Sequence, residues 1–462
     1  MSKAVSNSLS RAAGDGRPAA PVRMLHLGLG NFFRAHQAWY TDRARDADQW
    51  GIAAFTGRRP DLADALSGQD GLYTLVTRSA DGDRFDTISS VSAAHPGSDH
   101  EAWLGYWRLP ELAVVTLTVT EAGYTRGTDG GLDTDRPDVR ADLAALRSAP
   151  SAPVRTAPAR LLAGLAARRA CGGGPVAIVP CDNLPGNGSV VERVLRELAR
   201  HTSRPELIEA VDAGASFVTT MVDRITPAGT DQDRADTAAA TGRPDTAPVV
   251  TEPFSEWVLS GDFPAGRPCW QDARARFVDD VTPYEERKLW LLNGAHSLLA
   301  YTGALRGRVT VADAVADPVC RGWLVDWWQE ASRHLSLPAI ELAGYQAALL
   351  ERFSNPRIRH ALSQIAADGS QKLPVRVLPV LRRERARGEV PQGAARILAA
   401  WVCHLRGLGT PVQDAAAARV LPLAQGPLPE AVRAVLAFLD PELAHDQALV
   451  DAVLAHAEAV AT

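Results

Sequence analysis

The first run of strand character, Val22–Leu27 (VRMLHL), ends at Gly28-Leu29-Gly30 and passes directly into a helix-like segment, NFFRAHQAWYTDRARD. Strand, glycine turn and helix in that order commit a chain to a βα unit, because the apolar faces of the strand must be covered and the helix covers one of them. Further strand candidates follow at 51–56 (GIAAFT), 112–120 (LAVVTLTVT), 175–180 (PVAIVP) and 215–222 (ASFVTTMV). Helical patterns lie between them, notably at 160–170 and 190–200. Apolar strands alternating with helices predict a mostly parallel sheet covered on both faces.

From residue 282 onward the pattern changes. Helical periodicity runs to 305 and returns at 323–334, 340–352, 357–367, 394–405 and 428–439, with almost no strand signal. The expected fold class is therefore α/β: a Rossmann-like parallel-sheet domain over 21–280, then a mainly α-helical domain over 281–462. Residues 1–20 (MSKAVSNSLSRAAGDGRPAA) are polar and rich in small side chains, which predicts a disordered tail with no apolar core of a signal peptide. Residues 228–248 are polar and alanine-rich and read as a flexible surface loop.

Composition excludes several function classes. A net charge of −5 argues against a nucleic-acid surface or an anionic membrane as partner. No apolar run reaches spanning length. The five cysteines (Cys171, Cys181, Cys269, Cys320 and Cys403) are scattered, with no CxxC and no Cys/His cluster. That pattern fits a reducing cytoplasm and gives no sign of a disulfide framework or a structural zinc site.

The turn Gly28-Leu-Gly30-Asn31-Phe32-Phe33 is GxGxxF, a dinucleotide fingerprint without its third glycine. A buried strand before it and a helix N-terminus after it suit a pyrophosphate, with Arg34 able to add charge. The candidate cofactor contacts are Gly28, Gly30, Asn31, Phe32 and Arg34. Phe33 in place of glycine predicts a wider approach of helix to strand. After the second strand comes Thr56-Gly-Arg58-Arg59-Pro-Asp61. A carboxylate at Asp61 favours NAD, whereas Arg58 and Arg59 would bind the 2′-phosphate of NADP or are plain loop charges.

Three strand candidates end in polar residues: Glu121-Ala-Gly-Tyr124, Cys181-Asp182-Asn183 and Asp223. Ligands of open parallel sheets bind beyond such carboxyl ends, although Asn and Asp also favour turns. The helix at 282–297 (TPYEERKLWLLNGAHS) carries Lys288, Asn293 and His296. At about 100° per residue these fall on one face that also holds leucines. Such a face is either the edge of an amphipathic core helix or a set of polar groups in a partly buried cleft, where a lysine can become a base. Thr282 as N-cap, Pro283 at the first position and Glu285 would start the helix with a capping box. The segment 368–376 (DGSQKLPVR) reads as a helix–helix turn, or as a loop lending Lys372 to substrate hydroxyls or a carboxylate.

The segments GLGNFFRAHQAWY, TVTEAGY, CDNLPGNG, MVDRITP, VTPYEERKLWLLNGAHS and DGSQKLP, in that order, resemble the mannitol dehydrogenase family of long-chain polyol dehydrogenases. That family includes D-arabinitol dehydrogenases and fructuronate, tagaturonate and altronate oxidoreductases. The resemblance covers roughly residues 22–380 and is most specific at KxxxxNxxH. It implies a metal-independent enzyme that moves a hydride between NAD, with NADP the alternative, and a secondary alcohol of a polyol or sugar acid. It implies Lys288 as general base, Asn183 and Asn293 as oxyanion donors, His296 as the residue orienting substrate, and Glu121 as a proton relay. Asp223 and Lys372 match substrate-contacting positions, and Asp61 matches the carboxylate that selects NAD. The partner implied is a small molecule, with no nucleic acid or membrane, and the protein a monomer or small homo-oligomer.

Two departures stand out. The family usually reads FHRAH at the glycine turn, and here Phe33 replaces the histidine. In some mannitol-specific members an arginine precedes DGS by four residues, where this chain has Gln364. Mannitol itself is thereby less favoured, with pentitols and hexuronates open. A phosphogluconate-type NADP-linked hydroxyacid dehydrogenase is the first competing reading, disfavoured by the incomplete glycine turn and the CDN motif. A catalytically silent nucleotide sensor is the second, disfavoured by the presence of Lys288, Asn183 and Asn293.

Overall fold

The computed structural model describes residues 8–57, 59–127 and 129–461, so Arg58 lies outside the described residues. The chain forms two compact units, 1–282 and 283–462. In the first, the strands are β1 (Val22–Leu27), β2 (Gly51–Phe55), β3 (Tyr73–Ser79), β4 (Gly82–Ile88), β5 (Val91–His95), β6 (Val114–Leu117), β7 (Val176–Pro180), β8 (Ala215–Phe217), β9 (Thr219–Asp223), β10 (Val249–Thr251), β11 (Glu256–Ser260) and β12 (Arg276–Phe277).

The main sheet has the order β5-β2-β1-β6-β7-β8, with every neighbouring pair parallel. All residues of β2, β6 and β7 are buried, as strands covered on both faces must be. The chain runs outward from β1 through β2 to β5, then crosses back to β6 and runs outward again. This is the doubly wound Rossmann order, and its reversal between β1 and β6 opens a crevice beyond the carboxyl ends of those strands. Two three-stranded sheets, β10-β3-β4 and β12-β11-β9, complete the unit.

Several expectations are corrected. Segment 215–222 is not one strand: it breaks at Val218, leaving β8 in the main sheet and sending β9 to pair antiparallel with β11. Residues 8–20 are not a disordered tail. Leu9 is buried, and the Arg11 guanidinium donates to the Ser89 and Val91 carbonyls, both at 2.9 Å. One arginine satisfying several carbonyls pins a segment that has little apolar surface of its own. The supposed loop at 228–248 contains a helix, Asp231–Thr241, started by a reciprocal capping box between Thr230 and Asp233.

The second unit is helical, and among its described residues the strand-like pairing is a single bridge, Thr310 to Ala361. Its axis is the helix Ala295–Leu305, buried from Ala295 through Ala304. Helices Val311–Ala316, Pro318–Ser332, Leu362–Ala366 and Gln392–Leu405 pack around it. A helix apolar on nearly every side must lie inside a bundle. Among the described residues no helix is long and apolar enough to cross a membrane.

Candidate active site

Gly28 closes β1 with φ +110, and a Cβ there would lie 2.1 Å from the Thr118 carbonyl oxygen. Both Gly28 and Leu29 donate their N–H groups to the Phe55 carbonyl, at 2.9 and 2.8 Å, while Thr118 Oγ1 donates to the Gly28 carbonyl at 2.9 Å. The turn is thus fixed by hydrogen bonds to the backbone of β2 and to the Thr118 hydroxyl just past β6. Gly30 differs: a Cβ there would meet only the Gly28 carbonyl, at 3.5 Å. The protein leaves space above Gly30. It caps the helix Asn31–Ala35 without any side-chain hydrogen bond, so the first N–H groups stay available to an anion.

The wider helix–strand approach expected from Phe33 has a physical filler. The Phe33 ring stacks on the His26 imidazole, centroids 3.6 Å apart, and His26 bonds Thr116 and Thr118 at 2.8 and 3.1 Å. Burial lowers the His26 pKa to about 3, so the ring is neutral and behaves as a polar brick. The helix-like segment after the turn is two short helices, Asn31–Ala35 and Gln37–Arg43, hinged at His36.

The buried Arg34 guanidinium donates to the carbonyls of Gly30 and Ala247 and to Asn31 Oδ1, bracing the turn from inside while its charge stays beside the turn. Asn31 also donates to the Pro227 carbonyl at 3.4 Å, and Phe32 stacks on His36. Asp61 begins the helix Asp61–Ser67 and pairs with Arg59 at 2.7 Å, both side chains well exposed. The carboxylate expected to favour NAD and the arginine expected to favour NADP are thus paired with each other. An exposed pair of this kind contributes about 0–1 kcal/mol, so either member can turn to a ligand.

Beyond β6 and β7 the chain places Glu121 and Asn183, both exposed, with Asp182 half-buried between them in sequence context. The Tyr124 hydroxyl donates to Asp182, tying the single-turn 3₁₀ helix Glu121–Tyr124 to the CDN turn. Burial, with the nearby charge of Glu121 adding to it, raises the Asp182 pKa to about 7, against hydrogen bonds from Leu184 and Asn187 that lower it. Asp223 closes β9, buried, in the smaller β12-β11-β9 sheet rather than at the end of a main-sheet strand.

In the helical unit the opening helix departs from expectation twice. The helix begins at Thr282 itself, which is its first residue rather than the residue before it, and the Thr282 N–H donates to Asp280 Oδ1 at 2.9 Å. After Thr282–Arg287 the helix becomes π-helical over Lys288–Gly294, then α-helical over Ala295–Leu305. In a π turn residue i lies over i+5, so Lys288 and Asn293 stack on one face more closely than α geometry allows. The widened turn is held by two indoles: Trp327 Nε1 donates to the Trp290 carbonyl at 2.9 Å and Trp328 Nε1 to the Leu291 carbonyl at 2.8 Å. Trp327 fits because residue 294 is glycine; a Cβ there would lie 2.6 Å from the indole ring.

Lys288 is half-buried on this face, and Asn293 and His296 are buried. Asn293 Nδ2 is enclosed yet donates to no protein acceptor. His296 packs between Phe353 and His360, with centroids at 4.9 and 5.1 Å. Lys372 lies on a helix, Gly369–Arg376, rather than on a turn, and its Nζ donates to the Ile365 carbonyl at 3.2 Å. Gln364 is exposed on Leu362–Ala366. Among the described residues no three His, Cys, Asp or Glu side chains gather as metal ligands.

The profile of the mannitol dehydrogenase Rossmann domain matches residues 22–272, and that of the mannitol dehydrogenase C-terminal domain matches residues 280–461. The chain belongs to the mannitol dehydrogenase family. It is similar to D-mannonate oxidoreductase of Escherichia coli, 38% identical over 84% of this chain and 80% of the relative. It is similar to D-arabinitol 4-dehydrogenase of Ralstonia nicotianae, 37% identical over 84% of each. Among solved structures, mannitol 2-dehydrogenase of Pseudomonas fluorescens, in ternary complex with NAD and D-mannitol, superposes with a TM-score of 0.80 at 32% identity, covering 96% of this chain and 92% of that one. The chain is thus an oxidoreductase of the mannitol dehydrogenase family, with that family's Rossmann and C-terminal domains.

Three groups escaped sequence reasoning in this mannitol dehydrogenase family member. Asp182 sits inside the CDN motif but was overshadowed by its asparagine. His360 carries no sequence signal, since a lone histidine is more often a core residue. Arg376 could have been found, because it follows Lys372 by one helical turn.

Proposed function

We propose that this chain catalyses reversible, NAD-linked oxidation of a secondary alcohol in a polyol or sugar acid, without a metal. The reading is supported most by Asn293: a buried side-chain donor without a protein acceptor, on the same π-helical face as a half-buried lysine. Leaving such a donor unsatisfied costs about 1–3 kcal/mol, which a fold tolerates where a ligand oxygen is to be met.

NAD, when bound, supplies the hydride acceptor at its nicotinamide. Gly28, Gly30 and the uncapped start of Asn31–Ala35 fit its pyrophosphate, and Asp61 would take the ribose hydroxyls in exchange for Arg59. NADP is the alternative if Arg59 turns to the phosphate instead. Lys288 takes the hydroxyl proton, which requires it to be neutral before reaction. Asn183 and Asn293 donate to the oxygen as it gains negative charge, an effect worth about 3 kcal/mol of barrier for one such donor. His296 orients the substrate, Glu121 passes the proton on to water, and Asp223 and Lys372 hold substrate hydroxyls or a carboxylate.

The test is the reduced-nicotinamide absorbance band, read with a panel of polyols and sugar acids, each offered with NAD and with NADP. Turnover of at least one member with NAD is expected. Silence across the panel with both cofactors would point to a nucleotide-binding sensor instead.

A further inference from the structure

Asn183 is an exposed residue in a turn whose two ends are fixed. At one end Cys181 is buried, and its N–H donates to the Leu117 carbonyl at 2.7 Å, which extends the pairing of β7 with β6. At the other end Asn187 is fully buried and bonded twice to Thr220 of β9. Its Oδ1 accepts the Thr220 N–H at 2.9 Å, and its Nδ2 donates to the Thr220 carbonyl at 3.0 Å. Neither anchor alone sets the direction of the residues between them.

Asp182 holds the middle of the turn. One of its carboxyl oxygens accepts the Leu184 N–H at 3.3 Å, an Asx turn that closes around Asn183. The other accepts the Tyr124 hydroxyl. Tyr124 ends the 3₁₀ helix that begins at Glu121, and its ring is buried in the hydrophobic core of this unit. Its hydroxyl is therefore a fixed point on the polypeptide beyond β6, and Asp182 ties the turn beyond β7 to it. The Asp182 carboxyl, its pKa pushed up to about 7 chiefly by burial, is partly neutral near pH 7. A full negative charge next to a donor would oppose an oxygen that is itself gaining negative charge, and a partly neutral carboxyl weakens that opposition. A donor carried by a loop must also be held closely, because a misplacement of about 1 Å can cost about 10²-fold in rate.

We propose that Asp182, clamped by Tyr124, is a positioning residue that aims the Asn183 amide at the substrate oxygen. Both residues act through Asn183 rather than on the substrate. This rests on the oxyanion-donor reading of Asn183 above.

The test is a double-mutant cycle on the full-length protein, run well below the thermal transition of every variant. Turnover is read with NAD and a panel of five- and six-carbon polyols and aldonates, on its fastest member. Tyr124→Phe keeps the buried ring and removes only the hydroxyl. It should lower kcat by about 10-fold and leave KM for NAD unchanged, because the glycine turn makes its own contacts. In an Asn183→Ala background the same substitution should cost less than about 2-fold, since the group it aims is gone. Asp182→Ala should behave like Tyr124→Phe, whereas Asp182→Asn, which can still bond both Tyr124 and the Leu184 N–H, should keep most of the turnover. Equal losses from Tyr124→Phe in both backgrounds would show that the pair only supports the fold, and would overturn the proposal. An unchanged kcat in Tyr124→Phe would overturn it too. Either result leaves the oxidoreductase reading standing. Normal turnover in Asn183→Ala would remove the donor reading and this inference with it, and no turnover of any panel member by the unmutated protein would remove the oxidoreductase reading as well.

Discussion

The glycine turn of the first unit and the π-helical segment of the second are prepared by opposite means. The turn is made mostly of backbone: Gly28 and Leu29 donate to the Phe55 carbonyl, the Thr118 hydroxyl donates to the Gly28 carbonyl, and no side chain caps the helix that follows. The π segment is made of side chains: Trp327 and Trp328 prop its carbonyls, and Lys288 and Asn293 project from it. A backbone site tolerates changes beside it, which is why Phe33 can stand where the family has histidine, stacked on a neutral His26. It tolerates nothing at the glycine itself. A side-chain site inverts this, since its fold can survive loss of the groups that do the chemistry.

That contrast can be broken by mutation. Lys288→Ala should lower turnover by about 10³–10⁴-fold, the upper range for loss of a general base, while NAD binding and the thermal transition persist. Near-normal turnover would end the lysine-base mechanism. Asn293→Ala should lower kcat by about 10²–10³-fold, yet leave Tm unchanged or higher, because an enclosed donor without an acceptor is removed. A clear drop in Tm would make Asn293 structural. In the first unit the two glycines should separate. Gly28→Ala, with φ +110 and a Cβ 2.1 Å from Thr118, should cost at least about 1–3 kcal/mol of stability in urea and weaken NAD binding with it. Gly30→Ala should weaken NAD binding without that loss of stability, because the protein leaves room for its Cβ.

The smallest effect concerns pH. Burial and Glu121 raise the folded pKa of Asp182 to about 7, whereas an unfolded aspartate titrates near 3.9. Between those values the folded chain keeps a proton that the unfolded chain releases, so stability falls as pH rises from about 4 to 7. Asp182→Asn should flatten that part of the stability profile measured by chemical denaturation. An unchanged slope would show that the carboxyl does not hold its proton.

Much of the fold was legible in the sequence because apolar strands covered on both faces leave continuous runs, as in β2, β6 and β7. The break at Val218 was not, since β8 and β9 form one apolar run and only their partners separate them. The helix at Asp231–Thr241 was hidden by its polarity and is started by a local cap rather than by an apolar face. At the candidate site, spacing alone put Lys288, Asn293 and His296 on one helix. The π turn depends on tryptophans nearly forty residues downstream, which no local period reveals. The internal bracing by Arg34 was hidden as well, because the Gly30 and Ala247 carbonyls it meets come together only in the fold.

The central claim is hydride exchange between the nicotinamide and a substrate carbon, and isotope tracing reads it directly. NADH carrying deuterium at both C4 positions of the nicotinamide would be incubated with a panel of keto sugars and the protein, and the products analysed by mass and NMR. Deuterium on the newly formed secondary carbinol carbon is the result this account predicts. Oxidation of the cofactor with no deuterium at that carbon, for every member of the panel, would contradict it.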